Sequence, residues 1–167
     1  MSRTNMTRLV RADEPHLWDA LYYALHVPPG SSPFDRDVVT HLEIARYVSG
    51  WMQRAGDLGF RAERDGRVVG ACWVRRFAAN DRGYGFVDTA TPELTIAVWP
   101  GHRGLGVGTR LIGETLAEAS AVYERVSLSV ALTNPARRWY ERLGFRQVAA
   151  PADGAVTMMR SRSSPRG

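Results

Sequence analysis

The chain contains no lysine, although it is basic: all 22 of its full cationic side chains are arginines, set against 17 acidic residues for a formal charge of +5. Without lysine, the phosphate loop of nucleotide triphosphatases is excluded, because that glycine-rich turn ends on one. Cysteine is nearly absent as well. The lone Cys72 rules out an intramolecular disulfide and a multi-cysteine zinc site, so a reducing, cytoplasmic compartment is expected. Long apolar runs are missing: no window approaches the roughly 20 residues of a membrane span, and Asp13, Glu14 and Asp19 interrupt any signal-peptide pattern. His16, His26, His41 and His102 show no ligand spacing, so no metal is expected. The arginines are scattered rather than interleaved with aromatics in a stripe, which argues against nucleic acid as a partner. A guanidinium still favours phosphate or carboxylate, so an anionic ligand fits this composition. No internal repeat or low-complexity stretch is present.

What remains is an ordinary globular composition, 167 residues of which 44% are hydrophobic, enough for a single core. A single domain is expected over residues 1–160, with a disordered basic tail at 161–167. "TRLVRA" reads as a first strand, followed by a helix capped by Asp13 and running to about His26 with Leu17, Leu21 and Leu25 on one face. After the loop "VPPGSSP", Ser32, Pro33 and Asp35 resemble a helix start. Val38, Leu42, Ala45, Val48 and Met52 would form that second helix's apolar stripe. "FRAERDGRVVGACWVRRF" predicts a hairpin turning at Asp65-Gly66. A turn-rich loop, "AANDRGYGFVDTATP", leads to a strand from Glu93 to Trp99 and a helix from about Gly104 to Ser120. The strand "VSLSVAL" follows, then a helix opened by Asn134-Pro135 and closed by Gly144, then strands at Phe145 to Ala149 and Ala155 to Met159. This order predicts a mixed α/β domain around one sheet.

The stretch "LTIAVWPGHRGLGVGTRLI" packs glycines and basic residues where a strand hands over to a helix. Glycine lets a ligand approach the main chain, and the first helical turn presents unpaired N–H groups and the positive end of the helix dipole. A phosphate group suits such a place, with Arg103 at its mouth. The dinucleotide fingerprint fails here because Thr109 stands where its third glycine belongs. A tight turn made for packing alone is the competing explanation.

The pattern that fits is R-x-x-G-x-G at Arg103, Gly106 and Gly108, entered from "ELTIAVWP". It resembles the acetyl-coenzyme A signature of the GNAT-type N-acetyltransferases, in which this turn cradles the cofactor pyrophosphate. "NPARRWYERLGF", Asn134 to Phe145, is similar to the segment after the family's next strand. The resemblance is good over about residues 60 to 160, whereas residues 1 to 59 match only in an outline of two helices. It implies an α/β acyltransferase fold: a central mixed, mostly antiparallel sheet flanked by about four helices. The strand at Glu93 and the strand after it would splay around acetyl-CoA. It further implies an amine acceptor and allows a homodimer.

By the same resemblance, the cofactor would be held by Ile96, Ala97, Val98, Arg103, Gly104, Leu105, Gly106, Val107, Gly108, Thr109 and Asn134. The Val98 N–H would polarise the thioester carbonyl. An alkyl ammonium, with a pKa of about 10.4, must lose a proton before it attacks, at a cost of roughly 4.6 kcal/mol at pH 7. Glu93 stands where many relatives keep a glutamate base; the alternative is a solvated strand end. Ser129 replaces the acid that some relatives carry on the next strand, which moves the weight to Glu93. Tyr140 matches the tyrosine that protonates the departing thiolate, with core packing as its alternative. Asn134 would cap the last helix and touch the cofactor, or cap alone. Cys72 reads as core. His26, Phe34 and Trp51 are candidate walls of the acceptor pocket, and Asp35, Asp37 and Asp88 could receive an ammonium or be caps. The rival to an enzyme is a CoA-binding sensor or interaction module of the same fold.

Overall fold

The turn at Asp65-Gly66 shows how local sequence sets the architecture. Both residues take left-handed φ values, 52° and 74°, and so the tight turn matches the twist of the strands it joins. The computed structural model describes residues 2–162. The hairpin is β2 (Leu58–Arg64) and β3 (Arg67–Arg75), flanked on one side by β1 (Thr4–Arg8) and on the other by β4 (Glu93–Val98). Beyond β4 come β5 (Arg125–Ala131), β7 (Ala155–Ser161) and the short β6 (Arg146–Gln147), giving one seven-stranded sheet in the order β1-β2-β3-β4-β5-β7-β6. Every neighbouring pair is antiparallel except β4 and β5, which run parallel. The expected mixed, mostly antiparallel sheet is therefore present.

Helices cover both faces. α1 (Glu14–Ala24) lays Leu17, Ala20 and Leu21 against Ala71, Trp73 and Ala97 of β3 and β4, together with α2 (Leu42–Ala45) and the turns after it. On the other face α3 (Val107–Ser120) buries Val107, Leu111, Ile112 and Leu116 against β2, β3 and β5, and α4 (Ala136–Arg142) adds Trp139 and Tyr140. Leu111 and Ile112 are completely buried, and each such side chain contributes about 1.5–3 kcal/mol of burial.

Several expectations need correction. The long second helix is absent: residues Arg36–Thr40 form a 3-10 turn, α2 lasts one turn, and Gly50 and Met52 adopt left-handed φ values of 68° and 63°. The cause is a buried arginine. Arg75, with no exposed surface, donates to the carbonyls of Arg46 (2.9 Å) and Ser49 (2.6 Å), while Met52 N donates to Asp57 Oδ2 at 3.0 Å. Those groups are diverted from the ladder a helix would need, and the β-branched Val38, Val39 and Thr40 offer it little propensity. The first strand lies three residues earlier than expected. Asp13 does not cap α1: its carboxylate turns back to accept from Val10 N (2.8 Å) and Arg61 (2.5 Å). α3 begins at Val107, not Gly104, and Phe145 to Ala149 contributes only two strand residues. Of the expected tail, Ser161 closes β7 and Arg162 N donates to the Glu124 carbonyl at 2.8 Å; 163–167 lie outside the described residues.

Candidate active site

β4 and β5 share one register pair, Glu93 with Ser127, fixed by Ser127 N donating to the Pro92 carbonyl at 2.9 Å. From there they splay, which opens a wedge in the middle of the sheet. Trp99 N donates to Val69 O of the hairpin, so the alternation of a strand turns the N–H groups of Ile96 and Val98 the other way, into the wedge. The Val98 carbonyl, on that same side, accepts from Arg103 Nε at 3.0 Å. α3 starts at the wide end of the wedge.

Its entry turn carries three left-handed glycines, Gly101, Gly104 and Gly106, with φ values of 88°, 76° and 81°. A Cβ at any of them would meet only open space. Their conformation, rather than crowding, demands glycine. Among the described residues, no protein group accepts from the amides of Arg103, Gly104, Gly106, Val107, Gly108 and Thr109, the first intrahelical bond there being Arg110 N to Gly106 O at 3.2 Å. Six free donors in this turn, at the positive end of a 14-residue helix, have the polarity and spacing to bond an anion. Arg103, Gly104, Leu105, Gly106 and Thr109 are exposed there, and the Val107 side chain anchors the turn in the core.

Two cavities meet across the wedge. The first, about 640 Å³, runs beneath this turn and is bordered by Ile96, Ala97, Val98, Arg103, Gly108, Asn134 and Tyr140. The second, about 580 Å³, lies on the other side and holds Glu93, Tyr47, Tyr84, Ser129 and Asp153 in its walls. Ile96, Asn134, Tyr140, His26 and Phe34 border both. A thioester placed in the wedge would thus have Tyr140 beside it and Glu93 beyond it.

Glu93 is not a solvated strand end. It is 2% exposed, and burial pushes its pKa up to about 7, against the opposing pull of the Gly85 amide, the Tyr47 hydroxyl and the Arg46 charge. Gly85 N and Tyr47 Oη both donate to Oε1, at 2.7 and 2.9 Å. Oε2 is buried without a partner among the described residues. It rests on Gly83, where any Cβ would overlap it.

Tyr140 stacks at a tilt on Trp139 (5.2 Å between centroids) and meets Phe145 edge-on (5.9 Å); burial raises its pKa, so the phenol keeps its proton. Asn134 Oδ1 accepts from Ala136 N at 2.9 Å, which caps the opening of α4 while its residue still borders both cavities. Cys72 is fully buried and its thiol is pushed up to about 12, so it stays protonated in the core. Trp51 is no pocket wall: it lies in the core with its indole donating to the Val10 carbonyl at 3.2 Å. Asp88 is committed to Arg125 (2.9 Å) and the Ala90 amide, and neither Asp35 nor Asp37 borders either of these two cavities. His26 and Phe34 border both cavities, His26 Nε2 lying 2.9 Å from Thr133 Oγ1. Tyr47, Gly83, Tyr84 and Gly85 escaped the sequence reading. The signal was present as "RGYGF", two glycines flanking a tyrosine inside a loop.

Residues 56–147 match the family model described as the acetyltransferase (GNAT) domain. Solved structures share the fold across nearly the whole chain. The GNAT domain of S. lividans PAT is 17% identical with a TM-score of 0.67, over 95% of this chain and 90% of that one. The structure of yncA from Salmonella typhimurium, with its cofactor acetyl-CoA, is 21% identical with a TM-score of 0.66 over 99% of both chains. The ribosomal-protein-S18-alanine N-acetyltransferase of Escherichia coli is 18% identical with a TM-score of 0.63, over 98% of this chain and 97% of that one. A search of curated proteins finds no match. Among the described residues no helix is long and apolar enough to cross a membrane.

Proposed function

The chain belongs to the GNAT acetyltransferase family, and on that premise we propose that it transfers the acetyl group of acetyl-CoA to a primary amine, on a small molecule or a protein terminus. One observation carries the reading: six amides between Arg103 and Thr109, unpaired among the described residues, stand at the head of a wedge that has a protonated phenol on one side and a buried carboxylate on the other. Acetyl-CoA supplies the activated thioester. The Arg103–Thr109 amides bind its diphosphate, Gly108 and Asn134 border the path of the pantetheine arm, and the wedge-facing N–H groups of Ile96 and Val98 offer donors to it.

Direct attack needs a neutral amine. A base works best with a pKa near the operating pH, where it is both substantially ionised and able to hold a proton. Glu93, at about 7, meets that condition, which an ordinary carboxylate would not. Tyr140 protonates the departing thiolate, for which a phenol that retains its proton at neutral pH is suited. The acceptor cavity supports a cationic substrate. Its ionisable walls are the carboxylates of Glu93 and Asp153, three tyrosines and His26, and among the described residues no arginine borders it. These charges suit an ammonium better than a carboxylate or phosphate.

The test is thiol release from acetyl-CoA across a panel of primary amines and N-terminal peptides. Release that depends on the amine, is abolished for its quaternary analogue, and falls in Tyr140→Phe with little change in cofactor affinity is the expected result. Full turnover in Tyr140→Phe would remove the assigned acid. Absence of release with every amine would leave a CoA-binding module.

A further inference from the structure

Glu93 borders the acceptor cavity, but its two oxygens are unequally engaged. Oε1 already accepts two hydrogen bonds, from Gly85 N and Tyr47 Oη. Oε2 is buried and pressed against Gly83. The side chain bonded to Oε1 is the Tyr47 hydroxyl, and Tyr47, like Glu93, borders the cavity. That hydroxyl is held on both sides: it donates to Glu93 Oε1 at 2.9 Å and accepts from Tyr84 N at 2.7 Å. A second lone pair remains on the phenolic oxygen.

The geometry points to Tyr47 as the proton relay between the acceptor ammonium and Glu93, a role that rests on the acetyltransferase reading above. An N–H bond of the ammonium breaks as an O–H bond forms on Tyr47 Oη. In the same step Tyr47's own O–H breaks and its proton passes to Glu93 Oε1. The products are a neutral amine, an unchanged tyrosine and a carboxylic acid, so charge and atoms balance and nothing is oxidised. The exchange is concerted, because burial and the neighbouring Glu93 charge drive the phenol far from ionisation.

The surroundings are built to hold this alignment. The Tyr47 ring packs edge-on against Phe77 (5.1 Å) and parallel to Tyr84 (6.5 Å). Its carbonyl accepts from the buried Trp73 indole at 2.9 Å. The turn carrying it is clamped by Arg75, which contacts the carbonyls on either side at Arg46 and Ser49 while paired to Asp57 at 2.8 Å. The charged and titratable groups that face the pair are few. Arg46, beside Tyr47, is tied to Asp81 at 3.2 Å and to the Arg82 carbonyl. Tyr84 comes from the loop, with Glu43 and Asp153 beside it. Arg75, opposite Glu93 on β3, is consumed by Asp57. Tyr140 and His26 stand across the cavity.

Tyr47→Phe tests the relay while keeping the ring that packs on Phe77. Two acceptors of the same carbon skeleton are compared at pH 7: a primary alkylamine, which must shed a proton, and the matching O-alkylhydroxylamine, which is already neutral. The variant should slow the alkylamine by roughly 100-fold, the low end for a lost acid–base group, and leave the hydroxylamine within about threefold. Equal slowing of both acceptors overturns the relay and leaves Tyr47 a packing residue. If the wild type acetylates neither acceptor nor any other amine, the acetyltransferase reading itself fails. A second readout needs no turnover: the carbon-13 shift of the Glu93 carboxyl, followed against pH. Loss of the Tyr47 donor removes a bond to the charged form, so the midpoint should rise in Tyr47→Phe; an unmoved midpoint contradicts the contact on which the relay depends.

Discussion

Glu93 is a carboxylate placed where its charge is barely tolerated. Burial opposes ionisation, while two short hydrogen bonds, from Gly85 N and Tyr47, and the Arg46 charge support it. Raising its pKa from 4.5 to about 7 has a consequence for folding. The unfolded chain ionises this group first as pH rises, so its contribution is present below about 4.5 and is lost as pH rises through about 7. Glu93→Gln removes that dependence. Thermal denaturation across pH 4 to 8 should show the variant gaining on the wild type as pH rises, and parallel curves would mean that Glu93 titrates normally. Activity runs the other way, since a base must be ionised: kcat/KM should climb through about pH 7. The position of Glu93 was legible in the sequence, at the head of the strand that leads into the glycine turn. Its burial was not, because the groups that enclose it come from Tyr47, 46 residues earlier, and from a loop whose glycines looked like ordinary turn formers.

At the scale of elements, the turn after α2 and the head of α3 illustrate opposite cases. The apolar stripe from Val38 to Met52 predicted one helix, yet periodicity records only which side chains are buried. It does not record that Arg75 of β3 takes the carbonyls of Arg46 and Ser49. The Arg75–Asp57 pair is wholly buried. Asp57→Ala would strand the guanidinium without its counter-charge and should cost about 3–5 kcal/mol, read from chemical denaturation; a cost under 1 kcal/mol would mean that water reaches the site. At α3 the sequence was more informative, because left-handed glycines and a helix start are both local properties. Only the boundary moved, from Gly104 to Val107. In the loop before β4, Gly83 is required by contact: a Cβ there would overlap Glu93 Oε2 and sit 2.7 Å from Tyr47 Oη. Gly83→Ala should therefore damage turnover by displacing that pair, while acetyl-CoA affinity, set across the sheet, stays near wild type. Equal loss of both would place the effect in general folding.

The whole molecule is one sheet broken open at a single seam. Six strand pairs are present and only β4–β5 is reduced to one register pair, so the site lies where the fold gives up sheet hydrogen bonds. The order of elements, the mixed sheet and the helix on each face could be read from periodicity and turn residues. The splay could not, since nothing in the two strands marks which backbone groups go unpaired; it came from the resemblance carried by Arg103, Gly106, Gly108 and the segment Asn134 to Phe145. A ligand that fills the seam restores lost bonding and should stabilise the fold as a whole. At 100 times its dissociation constant, acetyl-CoA would add about 2.7 kcal/mol, roughly 5–10 °C in Tm for a chain of this size. Gly106→Trp, which obstructs the turn, should abolish the rise.

The central claim is that the free amides of Arg103 to Thr109 grip the diphosphate of the acyl donor. Backbone amide NMR during a titration with CoA tests it most directly. The account expects the resonances of the free donors in that turn to move downfield as one set, saturating together, with smaller changes at Ile96 and Val98. Saturable binding that shifts other amides and leaves Arg103 to Thr109 where they were would contradict it.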